Sequence, residues 1–255
     1  MRETRNIRLD LSYDGTDFQG WQIQKSGRTV QGEIEKALKK LHGRDVSLFG
    51  SGRTDSGVHA TCQVANFHSD ISSIPEERFR EAINSHLPRD IRIMKSRNVA
   101  QTFHARYDAR VRVYKYYLLH SDAGLAHLRN YCYLTREKFD INHLNRLAAP
   151  LVGVHDFTTF AAARDENKSK IRDLFSVSFY PEGNFIIFKV SGNAFLWRMI
   201  RSLVGTIIHL AATGADTAEM KAILEAKDRS KAGPTAPARG LFLHRVLYES
   251  ETNIY

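Results

Sequence analysis

Gly50-Ser-Gly-Arg-Thr-Asp-Ser-Gly-Val-His-Ala60 separates two apolar runs, Val46 to Phe49 before it and Ala60 to His68 after it. Both runs read as strands, which puts the stretch at the tip or rim of a sheet rather than inside an element. One acid, Asp55, stands here beside one arginine, Arg53, in a frame of glycines and small hydroxyl side chains. Glycine permits the close approach that a substrate-facing loop needs, and Ser51, Thr54 and Ser56 can bond the backbone locally and hold one shape. Composition alone leaves a second reading open, that of an ordinary turn.

Working outward, Ile7, Leu9, Leu11 and Tyr13 alternate with polar residues, as a strand with one buried face does, and end at the turn-like Asp14-Gly-Thr-Asp17. Val30, Ile34, Ala37, Leu38 and Leu41 fall at helical spacing behind a Thr29 cap, with Gly43 closing the helix. A second helix is expected from Pro75 to His86 and a strand from Ile91 to Val99. The first half thus runs strand, helix, strand, strand, helix, strand, an order that suits an antiparallel sheet with helices on one face.

The second half begins with alternation over Arg110 to His120. A helix from Ile141 to Leu151 follows, then a hairpin of Leu174 to Tyr180 and Phe185 to Val190 around Pro181-Glu-Gly-Asn184. The longest helix is expected over Asn193 to Ala212, a shorter one over Thr217 to Ala226, and a closing strand over Leu241 to Tyr248. Nothing resembling a flexible linker separates the halves, so two packed lobes are expected, at 1–107 and 108–255.

The 255 residues carry 37 lysines and arginines against 28 acids, a formal charge of +9. That surplus favours a polyanionic partner, nucleic acid first. Only Cys62 and Cys132 are present, which speaks against a disulfide framework or thiolate zinc site and for a reducing cytoplasm. The first ten residues have no apolar core of a leader, and no apolar stretch approaches the ~20 residues of a membrane span. No His-x-x-x-His, His-Glu-x-x-His or Walker loop occurs. Asp14, Asp17 and Asp55 could together hold magnesium for phosphoester hydrolysis, but Asp14 and Asp17 are equally explained as turn residues.

Gly52-Arg-Thr-Asp-Ser-Gly-Val-His-Ala60 resembles the motif of the tRNA pseudouridine synthase A family. Further stretches continue the likeness: Leu11-Ser-Tyr-Asp-Gly-Thr-Asp-Phe-Gln-Gly-Trp21, Thr29-Val-Gln-Gly-Glu33, Phe103-His-Ala-Arg106 and Tyr114-Lys-Tyr-Tyr-Leu118. So do Phe157-Thr-Thr-Phe160, Asn193-Ala-Phe-Leu196, Met199-Ile-Arg201, Val204-Gly205, Thr235-Ala-Pro-Ala238 and Gly240-Leu-Phe-Leu243. The likeness runs from about residue 7 to 248.

The resemblance implies an α+β fold of two RRM-like, ferredoxin-like lobes, with mainly antiparallel sheets packed side by side around a basic cleft. It implies a homodimeric, cofactor-free and metal-free isomerase that turns uridine into pseudouridine at positions 38, 39 and 40 of the tRNA anticodon stem-loop. Asp55 matches the family's nucleophile. Arg53 matches an arginine that braces or fills the stack left by the flipped base. Tyr114 matches a tyrosine that stacks on the extruded uracil, and Arg201 the basic partner of the aspartate. Each has a plainer reading: a surface arginine, a packed strand tyrosine, a solvated helix arginine. His59 reads as structural. Cys62 falls where a small residue is common, and Leu196-Trp-Arg198 where histidines often occur, which leaves the RNA contacts of Trp197 and Arg198 open. A protein that binds RNA without turnover is the competing functional class.

Overall fold

The structure, a computed structural model, describes residues 4–249 and 251. In chain order the elements are β1 (Arg5–Tyr13), α1 (Val30–His42), β2 (Phe49–Gly50), β3 (His59–Ser69), α2 (Phe79–Asn84), β4 (Ile91–Val99) and β5 (Ala109–His120). Then follow β6 (Tyr133–Thr135), α3 (Ile141–Ala148), β7 (Gly153–Asp156), β8 (Ile171–Glu182), β9 (Phe185–Gly192), α4 (Met199–Thr213), α5 (Thr217–Glu225) and β10 (Leu241–Tyr248). The fold is mixed α/β and dominated by antiparallel pairing.

The chain divides into two compact units, one of residues up to Arg110 together with those from Leu243 onward, the other Val111–Phe242. The first unit is therefore not contiguous in sequence. Its strands run β4-β1-β3-β10, and Thr61 of β3 bonds the His244 backbone and ring in β10, which ties the end of the chain to this unit.

In the first unit β1 is antiparallel to both β3 and β4, pairing Ile7 with Phe67 and Leu9 with Ala65. The helix α1 forms where expected. Thr29 Oγ1 accepts the Gly32 N–H, and Gly43, at φ +69°, closes the end by donating its N–H to the Lys39 carbonyl. His42 meets Phe67 of β3 edge-on at 5.8 Å and Phe79 of α2 face-on at 6.5 Å, so both helices cover one face of the sheet. Ile7, Leu9 and Leu11 of β1 and Ile34 and Leu38 of α1 are fully buried, the burial of each stabilising the fold by about 1.5–3 kcal/mol.

The strand expected over Val46 to Phe49 is reduced to Phe49–Gly50. Val46 and Leu48 are buried, but α1 supplies what a ladder would: Glu35 accepts the Leu48 N–H, and Gln31 donates to the Leu48 carbonyl. Helix side chains satisfy the backbone there, and no strand partner is needed.

In the second unit the strands run β5-β9-β8-β7, with the short β6 parallel to β5. The expected hairpin is β8 and β9, turning at Gly183 with φ +59°. Asn145 of α3 holds the helix on the sheet, donating to the Phe179 carbonyl and accepting its N–H. The helix expected from Asn193 starts only at Met199. Arg198 stands at φ +60°, a left-handed conformation that interrupts helical propagation, and residues 193 to 196 run as irregular chain into a turn at 197–198.

Behind that turn, α4 is buried along Met199, Leu203, Val204 and Ile207 and lies against the segment Gly233–Ala236. A Cβ at Gly205 would sit 1.8 Å from the Pro234 carbonyl oxygen, so only glycine lets the segment come this close. Thr206 Oγ1 accepts the Gly233 N–H at 3.0 Å. Gly205→Ala must push the segment away, which costs about 2 kcal/mol. Its thermal midpoint is expected about 5 °C below that of the parent by calorimetry; an unshifted midpoint would show that the segment yields freely.

Candidate active site

The Asp55 loop hangs between β2 and β3 and is fastened along its length. Ser51 donates its hydroxyl to Gln63 and its N–H to the Val64 carbonyl, while Gln63 donates to the Gly52 carbonyl. Thr54, buried, shares a hydrogen bond of 2.8 Å with the Tyr13 hydroxyl, and its carbonyl accepts the Trp21 N–H. Ser56 Oγ and the Gly57 N–H both donate to the Phe18 carbonyl, and the Val58 N–H closes the turn on the Asp55 carbonyl.

The partner of this loop is the segment from Asp14 to Trp21. Its backbone passes so near that a Cβ at Gly15 would lie 2.0 Å from the Val58 carbonyl oxygen. One at Gly20, itself at φ +88°, would lie 2.6 Å from that of Thr54. The segment is anchored in turn by Arg28, whose guanidinium holds Asp90 in a two-point contact at 2.6 and 2.9 Å and lies 4.2 Å over the Phe18 ring. Asp55 is thus presented half-buried between the buried Thr54 and the buried Val58, while Arg53 is exposed. Such fixed backbone geometry is what a reacting carboxylate needs.

His59 is 1 % exposed. Its Nδ1 accepts the Gly15 N–H at 3.0 Å and lies 3.1 Å from Asp14 Oδ1. It bonds the two segments together, the structural part the sequence assigns to it. Asp14 also accepts the N–H and hydroxyl of Thr16, as a turn residue does. Among the described residues no three His, Cys, Asp or Glu side chains form a group able to hold a metal, and no helix is long and apolar enough to cross a membrane.

Tyr114 and Arg201 belong to the second unit. Tyr114 sits on β5 opposite Val190 of β9, 7 % exposed, its ring edge-on to Phe195 at 5.2 Å. Arg201 lies in the first turn of α4 and is no solvated helix arginine. Its Nε donates to the Ala236 carbonyl at 2.8 Å, and its own carbonyl accepts the Ala236 N–H. Next to this contact Tyr116 donates to the Pro237 carbonyl at 2.8 Å, its burial raising the phenol's pKa so that it stays a donor. The stretch 193–201 therefore bears on both residues, touching Tyr114 through Phe195 and carrying Arg201 itself.

A model of the tRNA pseudouridine synthase family matches residues 11–108 and 147–249. The chain belongs to the tRNA pseudouridine synthase family. It is 47 % identical over 252 residues to a tRNA pseudouridine synthase A of Treponema denticola, covering 97 % of this chain and 94 % of the relative. The enzyme of that name from Borrelia duttonii is 41 % identical, with 96 % of this chain and all of the relative covered. That from Thermoanaerobacter sp. X514 is 40 % identical with the same coverage. The synthase family likeness drawn from the sequence motifs is thereby established over nearly the whole chain.

One organiser of the synthase chain carries no motif and escapes sequence reasoning, Asp165. Its side chain is 1 % exposed; it accepts the Trp197 N–H at 2.7 Å and bonds from Asn167 and Lys170. The Ala162 N–H meanwhile donates to the Trp197 carbonyl. Together these bonds hold the turn before α4 and the left-handed Arg198, which costs about 1–2 kcal/mol. Burial alone would raise the Asp165 pKa, but the bonds from Lys170, Trp197 and Asn167 outweigh it and bring it to about 2. Because the folded value lies below the unfolded one, its stabilisation is full above the ordinary carboxylate range and vanishes as pH falls from about 4 towards 2. Asp165→Asn is expected to lose about 2 kcal/mol at neutral pH. The gap from the parent should close on acidification, as read by urea unfolding at stepped pH; a gap that persists at pH 2 contradicts this.

Proposed function

We propose that this protein isomerises uridine to pseudouridine at positions 38, 39 and 40 of the tRNA anticodon stem-loop, with Asp55 as nucleophile and the target base flipped out of its stem. The observation that carries this reading is the family match, which spans the Asp55 motif together with the segments bearing Arg201 and the 235–238 loop. The half-buried, tightly fastened Asp55 supports it from the side of chemistry.

The reaction breaks the bond from C1′ to N1 of the uracil, turns the detached base and joins C1′ to C5. The C5 proton leaves and N1 gains one, so nothing is gained or lost overall and no cofactor or metal is called for. Asp55 acts as a carboxylate, either by direct attack or by removing a ribose proton to give a glycal. In this reading Arg201 takes the part of the family's basic residue that serves the aspartate. Tyr114 stacks on the uracil and stands where the C5 proton departs. Arg53, exposed on the same loop as Asp55, fills the vacated stack or bonds phosphate, offsetting an extrusion cost of a few kcal/mol. The same reading takes the lobes as RRM-like around a basic cleft and the protein as a cytoplasmic homodimer. The +9 charge agrees with a tRNA substrate.

Asp55→Ala is expected to lower the rate of pseudouridine formation in unmodified tRNA by about a thousandfold or more, with tRNA affinity within about threefold of the parent. A variant that keeps its activity refutes Asp55 as nucleophile. If the parent itself binds tRNA but yields no pseudouridine, the protein binds RNA without turnover. The parent should keep its full rate in excess EDTA; inhibition by the chelator restores the magnesium reading of Asp14, Asp17 and Asp55.

A further inference from the structure

Of the two tryptophans, Trp21 is 3 % exposed and packed in the first unit, whereas Trp197 is 42 % exposed on the second. An exposed indole on a flexible loop would be unremarkable surface. This one has its backbone fixed on both sides, its N–H bonded to the buried Asp165 carboxylate and its carbonyl to the Ala162 N–H. The next residue, Arg198, is held at φ +60° and lays its guanidinium 5.1 Å from the centre of the indole. A strained, immobilised backbone that ends in an outward-facing aromatic ring and a cation is preorganised for a ligand rather than for packing.

The chemistry of that ligand follows from the pair. A planar apolar ring beside a guanidinium fits a nucleobase with its phosphate, the base stacking on the indole and the phosphate meeting the cation. Exposed Arg164 and Lys168 stand on the same 162–170 segment that anchors Trp197, and the chain as a whole is cationic, so a polyanion is favoured over an apolar protein surface. We propose that Trp197 and Arg198 form a stacking platform for an unpaired base of the RNA substrate, with Asp165 as the residue that positions it. The proposal rests on the tRNA reading given above and adds a contact that the reaction itself does not require.

Trp197 then contributes binding that is equal in the ground and transition states. Trp197→Ala should raise KM for tRNA about tenfold and leave kcat unchanged, and Trp197→Phe, which keeps a stacking ring, should recover most of the loss. Unmodified tRNA should also quench the tryptophan emission of the parent, and this quenching should be lost in Trp197→Phe, where only the buried Trp21 still emits. Quenching that is present in the parent and lost in Trp197→Phe assigns the signal to the platform, and a merely structural role for Trp197 would not produce it. Unchanged KM in Trp197→Ala, or tRNA that leaves the parent emission unquenched, overturns the platform. A parent that is quenched by tRNA but forms no pseudouridine overturns the synthase reading and leaves the platform standing.

Discussion

The first unit depends on one close approach of backbone to backbone. The segment from Asp14 to Trp21 runs so near the loop from Thr54 to Val58 that neither Gly15 nor Gly20 could carry a side chain without meeting a carbonyl. Hydrogen bonds from the Trp21 and Gly57 backbone and the Ser56 side chain then convert proximity into fixed geometry. The buried His59 ring and the hydroxyls of Tyr13 and Thr54 close the remaining space. The backbone that carries Asp55 is fixed by these neighbours, so the cost of ordering the loop is met in folding.

The second unit solves the corresponding problem differently. There the corresponding stretch, residues 193–201, is irregular chain that turns into a helix. Its helical end is set by Gly205 and the Ala236 backbone, the turn before the helix by the buried Asp165 carboxylate. Phe195 touches Tyr114 within this stretch, and Arg201 emerges one turn later. Loop residues braced by rigid elements are where binding and catalysis commonly sit, since the scaffold can stay rigid while the loop composition varies.

Much of this was legible in the order of residues. The alternation of β1, β4, β5, β9 and β10, and the cap at Thr29, the end at Gly43 and the hairpin at Gly183, are local matters of side-chain period and backbone preference. Two departures share one cause. Val46 to Leu48 look like a strand and Asn193 to Arg198 like the start of a helix, because both carry the right apolar pattern. In each case side chains distant in sequence, Glu35 with Gln31 and Asp165, satisfy the backbone groups that a ladder or helical turn would have used.

The sequence by itself determined the motif of the family, Asp55 among its glycines and hydroxyls, along with the strand and helix periods, because motif and period are properties of neighbours along the chain. Only the tertiary structure decided that Asp165 is an organiser, that Arg201 is bonded to the 236 backbone instead of solvated, and that one tryptophan is buried while the other faces solvent. It likewise decided that the chain's last strand belongs with its first residues. These outcomes depend on which distant groups can reach one another's hydrogen-bonding atoms once the core has closed, and spacing along the chain does not encode that.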